Sequence, residues 1–163
     1  MKKGCFLLVL MLCLYGCSQP KDLETVSDGY VEPAPAEMRQ ILLTLPEEAA
    51  RPVSVNETGE RLYVCDGYSI MLQTLEAGDL DGTLRSVTGY SRSELTVMSQ
   101  QLPHLRRYDC VWTSAGEGGD QVGRTAVLDD GSYHYCLSVM ADCAEAGDLE
   151  QVWSRLFRSF TLA

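Results

Sequence analysis

The sequence is poor in the groups from which most enzyme sites are built. It holds two histidines, His104 and His134, whereas a zinc or catalytic centre needs several side chains converging in space. It has seven cysteines but no C-x-x-C spacing, which removes a thioredoxin-like or zinc-knuckle reading. No G-x-S-x-G nucleophile motif occurs. Gly116-Glu117-Gly118-Gly119-Asp120 is glycine-rich, but it is acidic and carries no lysine, so it does not cradle phosphate. Basic residues are scarce as well, 13 against 23 acidic ones. Such a surface repels phosphate backbones and anionic headgroups, and nucleic acid is excluded as a partner. No catalytic residue, metal site or diffusible cofactor is predicted.

No apolar run reaches the roughly 20 residues that a membrane-spanning helix needs. The longest is Phe6 to Leu14, preceded by Lys2 and Lys3 and followed at once by polar residues from Ser18. A short positive segment, a run of this length and an abrupt polar switch read as an export signal. Leu14-Tyr15-Gly16-Cys17 resembles the bacterial lipobox, with Leu three positions before the cysteine and a small residue beside it. Tyr15 stands where a small residue is commoner. The resemblance implies cleavage between Gly16 and Cys17, a diacylglyceryl group on the Cys17 sulfur and an N-acyl chain on its new terminus. Each buried methylene contributes about 0.8 kcal/mol, so two or three chains anchor durably where one does not. The expected location is therefore outside the cytoplasmic membrane, or on the outer membrane where a cell has one. The membrane is then a partner through the lipid alone.

Removal of residues 1–16 leaves 147 residues, with 11 basic against 23 acidic side chains. That length suits one domain on a stalk. Residues 17–37 contain Pro20, Pro33 and Pro35 and show no hydrophobic periodicity, so they read as the lipidated cysteine and a flexible tether. Residues 38–163 read as the single domain.

Within it, Asp66-Gly67 between two apolar segments marks a hairpin. Asp79 is a predicted N-cap, Leu80, Leu84 and Val87 share a helical face, and Gly89 is the stop. Strands are expected near 94–99, 106–114, 122–128 and 132–141. Leu149, Val152, Trp153, Leu156, Phe157 and Phe160 form an apolar stripe at helical spacing. That predicts an amphipathic C-terminal helix, capped by Asp148 with Gln151 three positions on. Glu76-Ala77-Gly78-Asp79-Leu80 recurs as Glu145-Ala146-Gly147-Asp148-Leu149, so both helices are expected to begin at equivalent points. Together these elements predict an α+β fold, an antiparallel sheet with helices packed on it. The order of elements over residues 61–163 resembles the PsbP-like fold, which implies an accessory or assembly module and assigns no site residues.

Hairpin centring at Gly118 and between Asp130 and Gly131 predicts a register. In it Tyr108, Cys110, Trp112, Arg124, Ala126, Leu128, Tyr133, Tyr135, Leu137 and Val139 share one face, with Trp112 over Arg124. Cys136 then lies on the other face with His134, and Cys110 and Cys136 do not pair. Cys65, Cys110, Cys136 and Cys143 allow two disulfides or four buried thiols. The leading functional reading is a tethered, non-catalytic binding or assembly module for an envelope protein or ligand. The alternatives are an envelope enzyme or thiol redox protein using Cys136 and His134, and a small-ligand-binding lipoprotein.

Overall fold

The computed structural model describes residues 36–56, 59–116 and 119–163. The expected signal segment, Gly16, Cys17 and most of the expected tether lie outside the described residues. From Ala36 onward the chain forms one compact unit.

Its centre is a seven-stranded antiparallel sheet in the order β2-β3-β4-β8-β7-β6-β5. The strands are β2 (Ser54–Val55), β3 (Arg61–Val64), β4 (Tyr68–Glu76), β5 (Val97–Leu102), β6 (Leu105–Gly116), β7 (Gly119–Asp129) and β8 (Tyr133–Asp142). A separate antiparallel pair joins β1 (Ile41–Leu42) to β9 (Thr161–Leu162), with Ile41 opposite Leu162. Helix α1 (Leu80–Thr88) follows β4, and helix α2 (Glu150–Ser159) follows β8. The α+β expectation holds in its coarse form, but the sheet dominates.

Each face of the sheet carries one apolar cluster with one helix. On the first face, Ile70, Leu72, Ala126, Leu128, Leu137 and Val139 pack with Trp153, Leu156 and Phe157 of α2. On the second, Tyr108, Cys110, Val127 and Cys136 pack with Leu84 and Val87 of α1. Cover on both sides explains why β8 is buried almost without alternation, from His134 through Val139, since a strand between two layers needs no polar face.

The Asp66-Gly67 hairpin is as expected: Val64 lies opposite Ser69, and Gly67 has φ +78°. Helix α1 also matches. Asp79 Oδ1 accepts from the Asp81 amide at 3.2 Å, and left-handed Gly89 returns its amide to the Arg85 carbonyl. Nine residues that include Gly82 and Thr83 do not make a stable isolated helix, so packing on the sheet must hold α1 in place.

Two expectations fail. Asp148 is not a cap: α2 begins at Glu150, and the residue before it, Leu149, has helical dihedrals and makes no side-chain cap bond. The second copy of the pentapeptide is consumed by consecutive turns instead. The amides of Glu145 and Ala146 bond the Asp142 carbonyl, and that of Asp148 bonds the Glu145 carbonyl. The two helices therefore do not begin at equivalent points.

The register between β6 and β7 also differs. Gly116 pairs with Gly119, leaving a two-residue connection, so Trp112 opposes Gly123 and Cys110 opposes Thr125. This one-residue change turns Tyr108, Cys110 and Trp112 onto the α1 face. The β7–β8 pairing is shifted by two, with Ala126 opposite Leu137, which preserves faces. Arg124, Ala126, Leu128, Tyr135, Leu137 and Val139 stay on the α2 face. Arg124 consequently lies not under Trp112 but over the Phe157 ring, 4.3 Å from its centroid.

Candidate functional site

The chemistry-bearing residues singled out in the sequence converge under α1. His134 sits on β8, 2% exposed. Its Nδ1 shares a 2.6 Å hydrogen bond with Thr83 Oγ1 of α1. Its Nε2 is 3.8 Å from Asp129 Oδ1, which β7 delivers because Asp129 and His134 are partners across the hairpin. Cys136 shares this face, as expected, but its thiol donates to the His134 carbonyl at 3.8 Å rather than to the ring. Further along, Thr125 Oγ1 lies 3.0 Å from Ser138 Oγ and accepts from Trp112 Nε1 at 3.3 Å.

A carboxylate, an imidazole and a hydroxyl in this order are the parts of a nucleophilic relay. The surroundings assign them a different job. Thr83 is 6% exposed, so a substrate has no access to the pair in this conformation. The short bond fastens a weak helix to the sheet while satisfying two buried polar groups. Burial likewise pushes the Cys136 thiol up to about 12 and the Cys110 thiol up to about 11. The nucleophilic form is the thiolate, so neither is primed for chemistry at neutral pH. His104 lies, as expected, in an exposed turn, with φ +64°.

The four cysteines among the described residues are free. Cys110 and Cys136 share a face, contrary to the expected register. They still do not pair, because β7 separates their strands and Cys136 is offset two residues from the partner of Thr125. Strand spacing alone puts their Cα atoms about 10 Å apart, beyond disulfide reach. Alkylation at neutral pH is expected to modify exposed Cys143 first and half-buried Cys65 slowly. Cys110 and Cys136 should be spared until denaturant is added. Mass mapping of the modified peptides checks this order; rapid native labelling of Cys136 would revive the thiol-enzyme alternative.

A second charged cluster lies on the α2 face and was not anticipated. Arg107 donates to both oxygens of Asp109 at 2.7 and 3.0 Å, and to the carbonyls of Phe157 at 3.1 Å and Phe160 at 3.5 Å. Arg124 approaches the same carboxylate at 3.6 Å. A guanidinium at a helix C-terminus satisfies orphan carbonyls and opposes the helix dipole, so this cluster secures the end of α2. Its one visible sign in the sequence is Arg107 two residues before Asp109.

At the chain's entry, the Arg39 amide donates to the Tyr135 hydroxyl at 2.8 Å, which donates to Asp130 Oδ2 at 3.0 Å. Burial raises the Asp130 carboxyl, but bonds from the Ser132 and Tyr133 amides and from Tyr135 outweigh it and leave the group below its ordinary range. Among the hollows of the described residues is an open one of about 390 Å³ between residues 44–48 and α2, lined by Glu47, Glu48, Val152 and Arg155 among others. Its volume falls within the range of ligand sites, but its rim is charged and it lacks the apolar enclosure they share. Glu48 already accepts from the Tyr68 hydroxyl at 2.8 Å. Among the described residues, no group of three or more His, Cys, Asp or Glu is placed to hold a metal ion.

No family model and no curated protein matches the chain. Among solved structures it is similar to LpqN, described as involved in cell envelope biogenesis of Mycobacterium tuberculosis. The superposition has a TM-score of 0.50 at 13% identity and covers 77% of this chain and 84% of that one. At this identity the likeness is one of fold, a sheet with helices that unrelated sequences also build.

Proposed function

We propose that the protein is a lipid-tethered module of the cell envelope that binds or assembles with an envelope component and performs no reaction itself. One observation carries the reading. The side chains of the candidate site, His134, Thr83, Cys110 and Cys136, are turned inward and bonded or buried. What the domain offers to solvent is surface. The fold shared with a protein described as acting in envelope biogenesis supports the same reading, as does the resemblance of its element order to the PsbP-like fold. The anchor rests on Leu14-Tyr15-Gly16-Cys17. Among the described residues no helix is long and apolar enough to cross a membrane, so on this proposal membrane association comes from the lipid on Cys17.

Fractionation of bacterial cells producing the full chain tests the anchor. The unaltered protein is expected with the membranes, and its mature form should begin at an acylated Cys17 in mass spectra. Cys17→Ser should move the protein to the soluble fraction. A variant that stays with the membranes while folded, or a mature chain that starts elsewhere, would remove the lipid from this account.

A further inference from the structure

The two edges of the large sheet are unequal. One ends in β2, only two residues long, and a short edge offers little to another strand. The other ends in β5, six residues Val-Met-Ser-Gln-Gln-Leu with the middle four exposed. It contains none of the usual protections, neither charge nor proline nor brevity. The turn from Leu102 to Leu105 has two connecting residues, so this flanking pair is hydrogen-bonded, and the bonds to β6 recur at Gln100 and Met98. The amides and carbonyls of Val97, Ser99 and Gln101 therefore point away from the sheet. Met98 is 64% exposed beside them.

Charge selects the occupant. Residues 36–163 hold ten arginines against nineteen acidic side chains, so most surfaces of two copies repel. Around this edge the charge nearly cancels: β5 itself carries none, Arg92 and Glu94 precede it, Arg107 is paired with Asp109 on the α2 face, and Arg106 lies opposite Asp129. Antiparallel pairing also brings the Glu94 end of one strand to the His104–Arg106 end of the other, so the ends are complementary.

We infer that β5 is a self-association edge, at which two copies pair antiparallel about a two-fold axis through Ser99 and extend one sheet across both. A two-fold axis normal to the sheet keeps like faces together, so it must pass through a residue position. Of the outward-bonding residues, Ser99 is central, and it leaves Val97 opposite Gln101. The strand alone buries less than the roughly 1,000 Å² of a stable interface, so the pairing is weak and concentration-dependent. It stands on the edge itself and not on the lipid anchor.

Cysteine cross-linking in intact cells producing the full chain tests it, in a Cys143→Ser background that removes the exposed native thiol. Ser99→Cys places two thiols directly opposite, about 5.5 Å apart at Cα in a hydrogen-bonded pair, within disulfide range. Gln101→Cys places its two copies farther apart than the about 7 Å that a disulfide spans. On mild oxidation, dimer yield at position 99 should exceed that at 101 by at least about tenfold, given that reach limit. Ser99→Lys should abolish the dimer seen by sedimentation of the concentrated protein without changing its unfolding midpoint. Equal yields at the two positions, a dimer that survives Ser99→Lys, or cross-linking of position 99 to a different protein would each overturn the proposal.

Discussion

Replacing Phe157 with Ala is expected to lower the unfolding free energy by about 4 kcal/mol, within the range for emptying a buried aromatic site. The ring is 1% exposed and lies in the cluster that joins α2 to the sheet. Its loss removes burial and leaves a void that β7 and β8, paired on both edges, are poorly placed to fill. It also strips the ring from beneath the Arg124 guanidinium. Domains of this size are stable by only about 5–15 kcal/mol, so the variant should unfold at a much lower urea midpoint. A cost below about 1.5 kcal/mol, typical of a volume-conserving swap, would show that α2 does not anchor the core.

Gly123→Val should destabilise by about 2 kcal/mol. A valine normally strengthens a strand, by up to about 1 kcal/mol. Here a Cβ would collide with the six-membered ring of Trp112, which covers the bare backbone of its cross-strand partner. The indole must swing out, breaking its bond to Thr125 Oγ1 and its contact with Tyr90, whose ring centroid is 6.1 Å away. Exposing a large aromatic costs more than the strand gains. Since the chain has two tryptophans and Trp153 is 93% buried, a red shift in emission would report Trp112. With Trp112→Ala the same valine should be tolerated, giving a coupling of at least about 1 kcal/mol between the sites. Additive costs would mean that the ring does not depend on the glycine.

These two sites differ in how far the sequence disclosed them. Phe157 was visible, because residues 149–160 repeat their apolar positions at helical spacing and few other packings satisfy such a stripe. Trp153, Leu156, Phe157 and Phe160 are all buried. The Asp66-Gly67 hairpin and the Asp79-to-Gly89 helix were equally legible, each carrying its own turn or cap chemistry. Gly123 was not. The segment 116–120 contains three glycines, and several hairpin centrings suit it. Moving the centre by one residue exchanges the faces of β6, so Trp112 was assigned to Arg124 and Cys110 was separated from Cys136. Asp148 misled for a related reason. A pentapeptide that caps one helix has the same local options elsewhere, and tertiary context chose consecutive turns.

The candidate site shows the same division. That His134 and Cys136 share a face followed from strand alternation. That Thr83 and Asp129 close around the imidazole did not, since it depends on where α1 lands and on a hairpin register. Arg107 and Asp109 were legible only as charges two residues apart. Their task, holding the last carbonyls of α2, became apparent once that helix was placed over β6 and β7.

The pairing of Ile41 with Leu162 joins positions about 120 residues apart, near opposite ends of the chain. A polypeptide synthesised N-terminus first delivers the early partner long before the late one. Ile41 and Leu42 then wait without their mate until Thr161 and Leu162 have been added. Loop closure over that span is entropically costly and is repaid only when the last strand arrives. Completion of this domain therefore waits on its last strand, and a chain cut short before Thr161 would remain open at its seam.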